Sequence, residues 1–154
     1  MEVNIYIKNK WTGRLRGSGR AIGLIEYIDK NGECHILNVK EEVENGTKQE
    51  LEIKVCIAAL RALRKKGKVN IYMDSCYIEN VLKNQWLKEW AKNGWTRKRK
   101  KALAHQKEWQ LFHALSQIHD ISIKKYSSKY DDEINEDLSR RKRVRWQELL
   151  QEVL

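Results

Sequence analysis

Apolar and polar positions alternate at the start of the chain, with Val3, Ile5 and Ile7 apolar and Asn4 and Tyr6 between them. That period predicts a strand over Val3 to Ile7. A segment carrying Gly13, Gly17 and Gly19 separates it from a second predicted strand, Ala21 to Ile28, and the Asn31-Gly32 turn leads to a third, Cys34 to Val39. Short gaps rich in turn residues predict an antiparallel meander for these three. The period then lengthens. Ile53, Cys56, Ile57, Leu60 and Leu63 recur at helical spacing behind Thr47 and Glu50. That pair has capping-box spacing, so Glu50 is expected to serve the helix's own backbone N–H groups. At ~100° per residue, Glu52 falls at the edge of the apolar stripe beside Cys56, Ala59 and Leu63. A carboxylate against a buried face needs a partner or a metal.

Val69, Ile71 and Met73 next alternate with Asn70, Tyr72 and Asp74. This predicts a buried strand that ends in a carboxylate. Ser75 is placed to cap a helix marked by Ile78, Val81 and Leu82 and running to about Lys92, where Asn93-Gly94 stops it. A helix over Ala102 to Ser116, a strand over Ile118 to Lys125 and a charged helix over Asp132 to Val153 complete the order. Leu138, Trp146, Leu149 and Leu150 give that last helix a thin apolar face. Three strands, helix, strand, helices, strand, helix is a mixed α/β sheet with helices on its faces. Asp74, at a strand's C-terminal end, reads either as a helix cap or as a site carboxylate.

The chain has 154 residues, no proline and no Gly/Ser-rich linker, so a single domain over 1–154 is expected. A formal charge of +10 points to a polyanionic partner, most simply nucleic acid. The cations are clustered in Arg97-Lys98-Arg99-Lys100-Lys101, in Arg140-Arg141-Lys142-Arg143 with Arg145, and more loosely in Arg14, Arg16 and Arg20. Cys34, Cys56 and Cys76 are odd in number, far apart and without zinc-type spacing. No apolar run is long enough to span a membrane. Together these read as a reduced, cytoplasmic protein without a membrane partner. The tryptophans Trp86, Trp90, Trp95 and Trp109 are expected to pack rather than to stack on bases. Trp11, lying among Lys8, Lys10 and Arg14, is the exception.

Several segments, in this order, resemble the ribonuclease H family. Leu51-Glu52-Ile53 followed by Ile57-Ala58-Ala59-Leu60-Arg61-Ala62-Leu63 is similar to the family's first helix, whose glutamate binds metal. Met73-Asp74-Ser75-Cys76-Tyr77 resembles its Thr-Asp-Ser-x-Tyr segment, whose aspartate is another ligand. Trp86, Trp90, Asn93-Gly94-Trp95 and Trp109-Gln110 match the tryptophan-rich helices and basic protrusion that grip the hybrid in some members. The resemblance covers most of the chain. It implies a ribonuclease H-like three-layer fold whose five-stranded mixed sheet has three antiparallel strands and then two parallel ones. It also implies RNA/DNA hybrid, or a structured duplex, as substrate.

Family catalysis uses two Mg²⁺ about 4 Å apart, held by converging carboxylates. By resemblance Glu52 and Asp74 are two catalytic and metal-binding positions. Glu136 is the fourth ligand if Glu136-Asp137-Leu138 aligns on the family's Asp-x-Leu, with Asp137 the alternative. Asp132-Glu133 answers the family's preceding Asn-Glu pair, and ordinary first-turn charge explains it equally well. The first position departs from the pattern. The family's Asp-Gly-Ser falls on Lys8, Asn9 and Lys10, and a slip of one residue puts Asn9 there. Lys125-Tyr126-Ser127-Ser128 stands where the family carries its catalytic histidine loop. Lys8 is therefore expected to pair with Glu52 and Asp74, replacing metal charge with protein charge.

Nucleic-acid contacts are expected at Lys8, Lys10, Trp11, Arg14, Arg16, Gln49, Ser75, Arg97, Lys98, Arg99, Lys100 and Lys101. The cofactor is Mg²⁺ or Mn²⁺ if the site is active, and none if it is not. The expected function is hybrid binding with RNA hydrolysis weakened or lost. The alternatives are an active divergent endoribonuclease and a protein-interaction scaffold in a replication or mobile-element complex.

Overall fold

The computed structural model describes residues 2–96 and 103–139. The two longest basic blocks, 97–101 and 140–145, lie outside the described residues, as does the last helix beyond Ser139. The elements are β1 (Glu2–Gly13), β2 (Gly17–Ile28), β3 (Cys34–Gly46), α1 (Lys48–Arg61), β4 (Lys68–Tyr72), α2 (Cys76–Lys83), α3 (Trp86–Lys92), α4 (Gln106–Ile118), β5 (Asp120–Lys124) and α5 (Asp131–Ser139). The five strands form one sheet in the order β3-β2-β1-β4-β5. β1 to β3 make an antiparallel meander, while β4 and β5 join parallel to β1 and to each other. The expected three-plus-two mixed sheet is present. No helix among the described residues is long and apolar enough to cross a membrane.

Strand alternation distributes side chains to two cores. Val3, Ile5, Ile7, Val69 and Ile71 join a large core with α1, whose Leu51, Ile53, Val55, Cys56, Ile57, Ala59 and Leu60 are all buried. α1 is enclosed because α4 packs on its outer side, where Trp109 and Phe112 are fully buried. Burial pushes the Cys56 thiol far up from its usual pKa, and its Sγ lies 3.8 Å from Met73 Sδ. On the other face, Tyr6, Ile22 and Leu24 form a small core with Ile134 and Leu138 of α5. The layers are thus α5, sheet, then α1 with α4.

Several boundaries differ from expectation. The first three strands run longer at their ends, because β1 and β2 continue as a ribbon to the pair Gly13–Gly17. The helix after Asp74 is broken into α2 and α3 at Gln85, which sits in the left-handed region at φ 57°. His105, at φ 58°, similarly delays α4 to Gln106. Thr47 caps α1 as expected, its Oγ1 accepting the Glu50 N–H at 3.1 Å. The Glu50 carboxylate instead pairs with Lys54 Nζ at 3.2 Å, one helical turn on. The tryptophans pack as expected. Trp109 has Trp90, Tyr77 and Phe112 around it at centroid distances of 5.4, 5.8 and 5.7 Å.

Candidate active site

Three elements meet where the β1–β4 ladder ends. This parallel ladder pairs Tyr6 with Tyr72, and Lys8 and Asp74 each stand two residues further along. Asp74 is exposed, and the buried Ser75 beside it caps α2 by accepting the Ile78 N–H at 3.2 Å. α1, packed on the opposite face, brings Glu52 to the same junction. Glu52 is 6% exposed, and burial pushes its pKa above the usual carboxylate value. A hydrogen bond from Ser75 and the charge of Lys48 act against that rise, while the Asp74 charge adds to it. Its Oε2 is buried without a hydrogen-bond partner among the described residues.

A recessed carboxylate oxygen with no donor, next to a second carboxylate, is donor chemistry that suits a hard cation. Glu52 and Asp74 therefore fit one metal ion. The set for a second ion is incomplete. Lys8 does not pair with Glu52 and Asp74 as expected; its Nζ lies 3.8 Å from Asp131 Oδ1, in the first turn of α5. Lys8 stands two residues past Tyr6, whose side chain faces the small core under α5. Strand alternation therefore turns it towards Asp131 and away from Glu52 on α1. Lys8 and Asp131 keep 29% and 31% of their side-chain surface in water, so they pair with little desolvation, whereas Glu52 is recessed. Asp131 also accepts a hydrogen bond from the Tyr126 hydroxyl, and Lys8 Nζ lies 5.9 Å from the centre of that ring.

The remaining acids of α5 are spread out. Asp137 accepts from Asn38 Nδ2 at 2.7 Å and fastens α5 to β3, two strands away from β1. Asp132, Glu133 and Glu136 are exposed. Among the described residues, three metal-ligating groups converge only at Asp29, Glu33 and His35, in the β2–β3 turn. There Asp29 already accepts the backbone N–H groups of Asn31 and Glu33, so the cluster is accounted for as turn structure. Asp131 is the site neighbour that sequence reasoning missed. Its role depends on how α5 docks through Ile134 and Leu138, and no local motif marks it.

Among the described residues, the expected nucleic-acid contacts fall mostly on β1 and the β1–β2 turn, while those at 97–101 lie outside them. Lys10 is exposed and pairs in register with Arg20, Arg14 and Arg16 flank the turn, and Gln49 is exposed in the first turn of α1. Trp11 is partly buried against the large core and lies over Gly19, where a Cβ would come within 2.6 Å of its ring. Part of the indole thus packs within the protein. Behind the site, Glu26 is buried, and burial acts to raise its pKa. Hydrogen bonds from Lys129, Tyr130 and Asn4 outweigh that and hold it below the usual range. This anchors the loop before α5, and with it Asp131.

The family model described as RNase H matches residues 7–148. A ribonuclease H of Thermoanaerobacter sp. (strain X514) is 36% identical over 92 residues, which are 60% of this chain and 59% of that protein. The chain thus matches about three fifths of that relative's length. The crystal structure of LC9-RNase H1, a type 1 RNase H with the type 2 active-site motif, superimposes with a TM-score of 0.71 at 22% identity. That match covers 88% of this chain and 69% of that one. A foamy viral protease-reverse transcriptase, solved in complex with RNA/DNA hybrid, gives a TM-score of 0.64 at 20% identity over 89% of this chain and 18% of that one. With the carboxylate pair at the β1–β4 junction and the match along nearly the whole sequence, the chain belongs to the ribonuclease H family.

Proposed function

We propose that this chain is a ribonuclease H-family module that binds RNA/DNA hybrid along its basic face, with metal-dependent hydrolysis of the RNA strand weakened or lost. The observation that carries this reading is Lys8, two residues past the end of the β1–β4 ladder, level with Asp74 and paired to Asp131. A divalent ion, when bound, supplies charge for the phosphate and an activated water. Glu52 and Asp74 are the residues that would hold it. Lys8 places a fixed positive charge where a further carboxylate would be needed, and so repels a second cation. The same ammonium is suited to a phosphate oxygen, which favours binding over cleavage. The net charge of +10 and the hybrid-bound state of the foamy viral neighbour support nucleic acid as the partner. Preference for hybrid would rest on groove shape and 2′-OH contacts rather than on base readout.

The test is a Mn²⁺-dependent cleavage assay on labelled hybrid, run beside a gel shift at low salt. Wild type is expected to shift the hybrid while cleaving no faster than Asp74→Asn. Lys8→Asp is expected to raise Mn²⁺ affinity by calorimetry, on the order of tenfold for one added carboxylate ligand. Wild-type cleavage that disappears in Asp74→Asn would establish an active, divergent enzyme instead.

A further inference from the structure

The β1–β2 ribbon ends in a three-residue turn, Arg14-Leu15-Arg16, beyond the Gly13–Gly17 pair. Leu15 is 89% exposed, more than any other large hydrophobic side chain among the described residues, and it stands between two exposed arginines. The turn is firmly held. Arg16 donates from Nε to Asn45 Oδ1 at 3.4 Å and from Nη2 to the Asn45 carbonyl, while Ser18 Oγ accepts the Asn45 N–H at 3.4 Å. Gly13 adopts φ +117°, and a Cβ on Gly17 would lie 1.9 Å from the Thr12 carbonyl oxygen, so the close strand approach at the tip depends on these glycines. An apolar side chain held out in water by a braced, basic ribbon gains nothing from folding. Its apolar surface is available to a partner, and a braced arm loses little entropy on binding.

We propose that Leu15 is an apolar wedge that enters a base step through the minor groove of the bound duplex. This rests on the hybrid-binding reading above. Charge selects this occupant, since Arg14 and Arg16 flank the leucine and Lys10 and Arg20 pair farther back on the same ribbon, cations that suit phosphates on either side of a groove. Geometry supports it as well. Gly13 lies five residues beyond Lys8 along β1, placing the base of the turn about 17 Å from the candidate active site along the same ribbon. A duplex laid across Lys8 therefore extends to Leu15. Insertion would unstack one step several base pairs from the site and fix the register of the duplex there.

The experiment uses the full chain and a short RNA/DNA hybrid carrying 2-aminopurine at successive positions of the DNA strand. Wild type is expected to raise the emission at one position. Leu15→Ala should abolish that rise and weaken binding about tenfold without changing its salt dependence, because it removes apolar contact and no charge. Arg14→Ala should instead lower the salt slope by about one. Leu15→Met, which keeps apolar bulk, should retain the signal. A wild-type affinity for Leu15→Ala, or no responding position with wild type, overturns the wedge while hybrid binding stands. Failure of wild type to bind any hybrid overturns both readings.

Discussion

Burial lifts the Glu52 pKa before any neighbour acts on it, and Asp74 adds to the rise. A carboxyl whose folded-state pKa stands above its unfolded value holds more protons when folded. Stability therefore falls as pH climbs from the ordinary glutamate value through the folded one. Glu52→Gln removes the buried charge and keeps the side-chain shape. It is expected to raise Tm by about 3 °C at neutral pH, equivalent to roughly 1 kcal/mol in a chain of this size. The gain should fade as pH falls below about 4, where the wild-type group becomes protonated in both states. Thermal melts of both proteins across that range check this, and an unchanged Tm at neutral pH would mean that Ser75 and Lys48 already offset the burial. Glu52 and Asp74 were legible in the sequence because stripe edge and strand end are periodic positions. Lys8 was legible as an unexpected residue. Its partner Asp131 was not, since 123 positions separate them and a docked helix joins them.

Among the elements, the strands and α1 formed where their periodicity placed them, though β1 to β3 run longer, and the helix departures share a cause. Gln85 and His105 take a left-handed backbone that the sequence usually marks with Gly or Asn. Trp86 and Trp90 pack against each other and Trp109 beyond Gln85, and His105 Nε2 lies 3.2 Å from Thr47 Oγ1. These are contacts from outside the local sequence, which propensity does not include. The β1–β2 ribbon shows the reverse, with glycines legible in the sequence whose purpose appears only in the fold. At Gly19 an added Cβ would come within 2.6 Å of both the Lys10 carbonyl oxygen and the Trp11 ring. Gly19→Ala is therefore expected to destabilise the protein by about 1–3 kcal/mol, through displacement of Trp11 and a shifted ladder. Urea unfolding monitored by tryptophan fluorescence measures it. A loss confined to a few tenths of a kcal/mol would show that the indole moves aside freely.

The molecule as a whole is a sheet with unequal faces. The larger core carries α1 and α4, while the smaller has, among the described residues, three buried strand residues under two of α5. The smaller face is supplemented by polar ties, Glu26 to Lys129 and Tyr130 and Asp137 to Asn38, which fix where the acids of α5 stand. Sequence reasoning gave the layers but not these ties, because each depends on side chains about a hundred positions apart. The same asymmetry turns the three cysteines into a clock. Cys34 and Cys76 are exposed, whereas Cys56 is sealed between α1 and the sheet. An alkylating reagent should consume two thiols at once and the third only when α1 leaves the sheet. The rate of that third modification then counts global openings of the native protein, and its dependence on urea should follow the equilibrium unfolding curve. Early reaction of Cys56 would reveal that α1 opens on its own, and the natural sequence supplies this reporter without an added label.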